Sequence, residues 1–408
     1  MAGDVEGTFR DVYGQAVATL TRVFGDISLA EDAVQDAFVV ATDRWPATGI
    51  PPNPAGWIVT TARNRAIDTL RRSKRGRELV EEAVPAIDPG DAGAQSEDST
   101  VRDDQLRLMF TCCHPALRAE HQVALTLRLL GGLSTSEVAR AFLISESAME
   151  KRLVRAKYKI KAANIPYRVP ADAELPARLR PVLSVIYLIY NLGADDRSRG
   201  PLRKEAIRLG RALVEMMPDE PEVAGLLALM ILNDARMPAR LVDDVVVLLR
   251  DQDRTAWDTD KIKEGQAIVR ACIRRNRPGP FQLQAAIQAV HCDARSFELT
   301  DWPQIVTLYD QLFAVTPTPV VALNRAIAIG EIDGPRKALE RLDDVADQLA
   351  NYHLMHAARA EMFRRLGEID AARNAYETAA ELALTDRDRR FLTEKSRELS
   401  QPGYRPDR

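Results

Sequence analysis

Two clusters of cationic and small polar residues stand out in this sequence for the chemistry their spacing allows. The first is Arg63, Arg65, Arg71 and Arg72; the second is Ser147, Ala148, Lys151, Arg152 and Arg155. Guanidinium and ammonium groups repeated at helical spacing hold phosphates. Short side chains near a helix N-terminus, such as Ser147 and Ala148, let a helix approach base edges. Both clusters therefore have the composition of nucleic-acid contacts, although a solvated amphipathic helix would also carry a basic face.

The elements that must present these residues can be read from periodicity. Asn53-Pro54 starts a helix running to about Arg72, with Trp57, Ile58, Ala62, Ala66, Ile67 and Leu70 on its apolar side and the arginines on the other. Upstream, Ala30 to Trp45 forms a helix whose Ala33, Val34, Ala37, Phe38 and Ala41 face a core. Its Glu31, Asp32, Gln35 and Asp36 are expected to stay outside. The second cluster sits in a different frame. Ser134-Thr135-Ser136-Glu137 is a capping box opening a short helix, and Phe142-Leu143-Ile144-Ser145 turns into a second helix capped by Ser145. Met149, Leu153, Ala156 and Ile160 give that second helix a buried stripe, leaving Lys151, Arg152, Arg155, Lys157 and Lys159 on other faces. This is helix-turn-helix spacing, and a solvated basic helix alone would have no need of the capping box and turn.

Across all 408 residues the formal charge is −3, so nucleic-acid binding has to come from such local patches. Charge also marks a boundary. Residues 63–77 hold seven basic residues and one Asp, whereas 78–104 hold nine acidic residues and one Arg together with prolines, glycines and serines. Helical periodicity dominates and sustained β-branched alternation is absent, which predicts an all-α protein: a helical domain over 1–75, a flexible acidic linker over 76–100, a helix-turn-helix domain over 101–165 and a helical repeat domain over 166–408. The repeat reading rests on Ala326, Ile329, Ala338, Leu342 and Val345, which recur 34 residues later as Ala360, Phe363, Ala372, Tyr376 and Ala379. Ala206, Gly210, Leu213 and Pro218, followed by Leu227, Ala228 and Ile231, fit the same template. Ordinary antiparallel hairpins in an alanine-rich chain would give similar matches.

Several kinds of chemistry find no support. No glycine-rich loop with Lys-Ser or Lys-Thr is present for nucleotide hydrolysis. Cys112, Cys113, His114 and His121 invite a zinc reading, but adjacent cysteines do not make the spaced pairs of a structural site, and buried thiols are expected instead. His353 and His356 lack carboxylate or cysteine partners at ligand spacing, and no catalytic arrangement can be assigned. Neither catalysis, nor a metal, nor a cofactor is expected. Four cysteines in so long a chain suit a reducing cytoplasm rather than a disulfide framework, and the apolar run Val182 to Leu192 is too short to span a bilayer, so no membrane role is expected.

The strings AEDAVQDAFVVATDRW and NPAGWIVTTARNRAIDTLRR resemble region two of extracytoplasmic-function sigma factors of the sigma-70 family, and LSTSEVARAFLISESAMEKRLVRAKYKIK resembles their region four. MFTCCHPALR, LLALMILNDARMPAR, RPGPFQLQAAIQAVH and PVVALNRAIAI are similar to the subgroup with a tetratricopeptide-like C-terminal extension, although Tyr190-Asn191-Leu192-Gly193 stands where an Asn-Glu-Gly-Tyr-like string is expected. The resemblance implies a transcription initiation factor. Asp32, Gln35, Asp36 and Phe38 would dock the clamp helices of the largest subunit of core RNA polymerase. Asn64, with the loop from Trp45 to Asn53, would capture an unstacked −10 base beside Arg63, Arg65, Arg71 and Arg72. Ser147, Ala148, Lys151, Arg152 and Arg155 would meet the −35 duplex, and the extension would regulate the module in cis or hold a peptide or protein partner. A ligand-responsive regulator would need only one helix-turn-helix, and a helical scaffold would leave both basic helices unexplained.

Overall fold

The computed structural model describes residues 2–72, 94–142, 144–171, 173–194, 200–242 and 245–400. Among the described residues, apart from a two-residue antiparallel ladder, Leu241–Val242 (β1) with Val245–Val246 (β2), the regular structure is helical. Contacts divide the chain into two compact units, residues 1–217 and 218–408. That division falls after the proline-bearing stretch near 166–181, so the first helices of the expected repeat domain stay with the first unit.

In the first unit α1 (Ala2–Phe24), α2 (Ile27–Thr48) and α3 (Pro54–Arg72) pack on one another. The Asp26 side chain accepts from the Ser28 and Leu29 amides and caps α2, while Asn53 accepts from the Gly56 amide at the head of α3. α2 runs one turn beyond Trp45 and stops at Gly49, whose φ of 81° suits glycine. Residues 94–100 of the expected linker begin a helix, α4 (Ala94–Cys112); the rest of the linker lies outside the described residues. α5 (Ala119–Leu125) continues into a π-helical turn, Thr126–Leu130, then come α6 (Thr135–Ala141) and α7 (Glu146–Ala162). α8 (Leu175–Ala194) pairs with α9 (Gly200–Met216), and both also pack on the preceding helices. The run Val182 to Leu192 is a largely buried part of α8, and no described helix is long and apolar enough to cross a membrane.

In the second unit α10 (Pro221–Ala235) packs between α12 (Thr259–Arg275) and α13 (Pro280–Asp293), with the single turn α11 (Met237–Arg240) beside the ladder. The residues read as an early repeat thus fall in two units, Ala206, Gly210 and Leu213 on α9 against α8, Leu227, Ala228 and Ile231 on α10. α14 (Trp302–Val315) leads into two helical hairpins: α15 (Pro319–Ile332) with α16 (Pro335–Asp343), and α17 (His353–Leu366) with α18 (Ile369–Leu382). Each helix of the second hairpin starts 34 residues after its counterpart. The repeated small residues do what small residues permit. Ala338 and Ala372 are fully buried, and a Cβ at Gly330 would lie 2.8 Å from that of Ala338, so the helices of the first hairpin close on each other. α19 (Asp386–Leu399) ends the stack and also meets β2.

A buried electropositive cluster lies under α13. The Arg236 and Arg254 guanidinium groups sit 5.2 and 4.8 Å from the Trp257 ring, and Arg254 donates to the His291 and Ala294 carbonyl oxygens. His291 packs edge-on to Trp302, its Nδ1 has no hydrogen-bond partner among the described residues, and burial together with the two arginines holds it well below the usual histidine range, at about 3. A histidine held neutral in the fold costs stability once the unfolded chain can be protonated. The second unit is therefore expected to lose stability as pH falls through 6.5, by about 2 kcal/mol between pH 7 and pH 5. Denaturant titrations of the wild type and of His291→Phe at both pH values check this: the pH dependence should flatten in the variant.

Candidate nucleic-acid and polymerase interface

The first reader is α3. Ile58, Ala62, Ala66 and Ile67 are buried against α1 and α2, which leaves Asn64, Arg65, Arg71 and Arg72 exposed and Arg63 half-buried. Trp57 is half-buried, edge-on to the buried Trp45 at 5.4 Å, and so anchors the segment between α2 and α3 as a packing residue. Trp45 belongs to α2, so only residues 49–53 of the expected base-capturing segment lie outside helices.

The second reader is α7. The capping box predicted at Ser134 is present in both directions, with the Glu137 amide donating to Ser134 Oγ at 3.2 Å and the Ser134 amide donating to Glu137 Oε2 at 2.7 Å. The Ser145 hydroxyl accepts from the Ala148 amide, and Met149, Leu153, Ala156 and Ile160 are buried. Of the predicted contacts, Ser147, Ala148, Lys151 and Arg155 are exposed. Arg152 is half-buried, ion-paired to Glu120 at 3.3 Å and stacked over the Phe142 ring at 5.1 Å. Its charge is spent in part on the turn itself. Leu143 lies outside the described residues.

The predicted polymerase face of α2 divides. Asp32 and Asp36 are exposed, Gln35 is half-buried, and Phe38 is buried in stacking contact with Tyr13 at 6.2 Å. The expectation that Glu31 stays outside is corrected: Glu31 is 4% exposed. The physical reason is a pair of cations that come from the second reader module. Arg128, on the π-helical turn, donates from Nε to Glu31 Oε1 at 2.6 Å, and Lys157 of α7 donates from Nζ to Oε2 at 2.8 Å. Gln35 Nε2 donates to the same Oε1 at 3.3 Å. Arg128 is completed by the Leu133 carbonyl at 2.8 Å and by the Tyr13 ring, 5.6 Å from its guanidinium. Burial raises the carboxyl of Asp32 above its usual range, partly offset by Lys157.

Close backbone approach accompanies these charges. A Cβ at Gly14 of α1 would stand 2.7 Å from the Leu130 carbonyl oxygen, so only glycine fits where α1 meets the π turn. The same turn is braced from its other side. Arg208 of α9 donates to the Leu130 carbonyl at 3.1 Å and is held by Glu205, while Arg178 of α8 donates to the Phe110 carbonyl at 2.9 Å. Tyr167 shares its hydroxyl hydrogen between the carbonyl oxygens of Ala18 and Asp104, and Arg22 of α1 pairs with buried Asp104 at 2.9 Å. Sequence reasoning missed Arg128, Tyr167 and Arg208. Arg128 falls within an apolar run, LTLRLL, and that solitary charge was the available signal.

The cysteine cluster is structural. Cys112 and Cys113 are buried thiols raised by burial, Cys113 to about 12, with Cys113 Sγ against Thr126 Oγ1. His114 accepts the Ala116 amide on Nδ1.

Residues 8–76 match Sigma-70 region 2, residues 107–160 match Sigma-70, region 4, and residues 178–273 match a family of unknown function, DUF6596. An uncharacterized protein of Rhizobium meliloti (strain 1021) is 42% identical over 379 residues, covering 90% of this chain and 89% of that protein. The probable ECF RNA polymerase sigma factor SigI of Mycobacterium tuberculosis is 29% identical over 161 residues, 38% of this chain and 54% of that protein. Among solved structures the TPR domain of P58(IPK) aligns over 97% of this chain and 98% of that one, at 14% identity and a TM-score of 0.26.

Breaking the buried charge group should be costly, because Glu31 would keep one cation, Lys157, beside the neutral Gln35 amide. Arg128→Ala is expected to destabilise the first unit by about 3–5 kcal/mol in urea unfolding, against about 1 kcal/mol for the cap variant Ser134→Ala. Equal, small losses in the two variants would mean that water reaches Glu31. On the match across nearly its whole length, the chain belongs to the same family as the Rhizobium protein, with sigma-70 regions 2 and 4 in the extracytoplasmic-function order ahead of a helical-repeat extension.

Proposed function

We propose that this protein is a dissociable sigma subunit that brings core RNA polymerase to promoters with −35 and −10 elements, in the cytoplasm and without catalysis of its own. The observation that carries the reading is the pair of separately built readers, α3 and α7, each with a buried stripe and an exposed polar and cationic row, in the order of sigma-70 regions 2 and 4. Asn64 takes an extruded −10 base by its hydrogen-bonding edge, while Arg65, Arg71 and Arg72 hold the single strand by its phosphates and Arg63 shapes the pocket. Ser147 and Ala148 approach −35 base edges, and Lys151 and Arg155 meet phosphates beside them. Arg152 serves mainly to fix the turn. Asp32 and Asp36 supply the charged part of the surface for the polymerase clamp helices; Gln35 and Phe38 support it from beneath. The readers span 1–75 and 101–165 with 76–100 as tether, and the extension from 166 acts in cis on them, with its repeat hairpins open to a peptide or protein partner.

In vitro transcription with purified core polymerase tests the reading: this chain alone should confer initiation on a promoter selected from genomic DNA, and failure on every promoter bound would reject it. Lys151→Ala and Arg155→Ala should each weaken −35 duplex binding and flatten the slope of log affinity against log salt by about one. Unchanged slopes would remove α7 from the DNA. Asp32→Arg should reduce retention of core polymerase in pull-downs while leaving thermal unfolding in place, since its side chain lies off the core. Regulation by the second unit is tested by truncation after Met217, which keeps the Arg178 and Arg208 braces. A transcript yield within error of the full chain would assign the extension to some other partner.

A further inference from the structure

We propose that the face formed by α12, α13 and α14 in the second unit is a docking surface for an acidic amphipathic helix of a partner protein. This face lies ahead of the repeat hairpins and contains no residue of either reader, so the inference goes beyond the sigma reading and does not depend on it. α13 packs on both α12 and α14. Its Ala286 and Ala289 are small, which leaves a groove of about 550 Å³ lined by Val269 of α12 and Leu308 of α14. Two large apolar side chains of the same lining are left to solvent, Ile273 at 66% exposed and Leu299 at 67%. Apolar surface left open around a groove of this size marks a place where another molecule is buried.

Charge decides which molecule. Between Glu264 and Asp293 the chain has four arginines and no carboxylate. Arg270, Arg274, Arg275 and Arg277 are all exposed, and none has an ion pair among the described residues. Arg270 and Arg274 share a helix face with Ile273, so cations flank the open apolar side chain. Arg274 and Arg275 also suit the C-terminal dipole of their own helix, whereas Arg270 lies a turn earlier and has no such use. Arg295, after α13, belongs to the groove lining and is likewise exposed and without an ion pair among the described residues. Other arginines of this unit do have carboxylates: Arg325 pairs with Asp310, Arg336 with Glu368 and Arg365 with Glu331. The two carboxylates of the lining are engaged, Asp301 by the Gln304 amide at the head of α14 and Asp293 by Gln266 Nε2 at 3.5 Å. The groove therefore offers unmatched guanidinium groups beside an apolar floor. A small anion would leave Ile273 and Leu299 uncovered, and a nucleic acid would have no use for the floor. An amphipathic helix answers both features, with apolar side chains at i, i+3, i+4 and i+7 filling the groove and carboxylates on its flanks meeting the arginines.

The test uses the full chain and two synthetic helical peptides of about 18 residues with leucines at i, i+3, i+4 and i+7, one flanked by glutamates and the other by lysines. Fluorescence anisotropy is expected to show saturable binding of the glutamate peptide, weakened by salt, with an affinity at least about tenfold above that of the lysine peptide. No saturable binding, or equal affinity for the two, overturns the docking surface. Arg270→Glu combined with Arg295→Glu should reverse the preference, and Ile273→Ser combined with Leu299→Ser should weaken the glutamate peptide by about tenfold. All four side chains are exposed, so thermal unfolding of both variants should stay in place. A preference or an affinity left unchanged in either folded variant puts the peptide elsewhere and overturns the proposal. Two further outcomes give the face to a different occupant and also overturn it. Self-association in sedimentation that the Arg270→Glu, Arg295→Glu pair disperses would make it an interface between copies of this chain. Duplex DNA bound more tightly than the glutamate peptide, and lost in that same pair, would make it a nucleic-acid surface. None of these measurements needs polymerase or a promoter, so a failure of the sigma reading and a failure of the docking surface are read separately.

Discussion

A carboxylate removed from water must find cations, and in this protein the first unit is arranged around that requirement at Glu31. An isolated buried charge would cost several kcal/mol, and the two groups that prevent this come from elements 97 and 126 residues further along the chain. Satisfying one side chain therefore fixes where the π-helical turn and α7 lie relative to α1 and α2. The Tyr13 ring, the Gly14 backbone and the Leu133 carbonyl are the remaining walls of the same small volume. Apolar burial supplies most of the driving force for collapse, but it is non-directional; the charge group selects which collapsed arrangement forms.

The π-helical turn gains meaning in this setting. Its Thr126 to Leu130 segment is buried throughout, and it points Arg128 into the first module while its last carbonyl, that of Leu130, faces α1 on one side and Arg208 on the other. Such turns recur at functional sites because an extra residue re-aims side chains that a regular helix would face elsewhere. The helices after region 4 are thus not a detached appendix. Arg178 and Arg208 satisfy backbone carbonyls of the helix-turn-helix module directly.

The reader helices were legible because their signals are local. The capping box at Ser134, the four-residue stripe on α7 and the Asn53-Pro54 start of α3 are all decided within one or two turns of chain. The hairpin repeat was legible for the same reason, since its helices keep a fixed spacing. Glu31 was misread because its neighbours Asp32 and Asp36 do face water. Periodicity can say that a residue lies off the apolar stripe, but not that a distant cation will cover it. Arg152 shows the same limit, since spacing places it with the other cations of α7 while Glu120 and Phe142 draw it inward.

In the second unit Arg250 stacks over Phe297 and reaches Glu331 of the first hairpin at 3.8 Å and Glu361 of the second at 3.7 Å, while Arg365 ties Glu331 across the same interval at 2.7 Å. A stack held only by nearest neighbours behaves as a one-dimensional array, in which each repeat melts or frays by itself. A cross-strut spanning two repeats removes that independence, because neither hairpin can open without exposing charges that belong to the other. With α19 also resting on β2, the array is tied back toward its own beginning. The repeats consequently share one fate under load: pulled from the C-terminal end, they should resist together and yield in a single event instead of unravelling hairpin by hairpin.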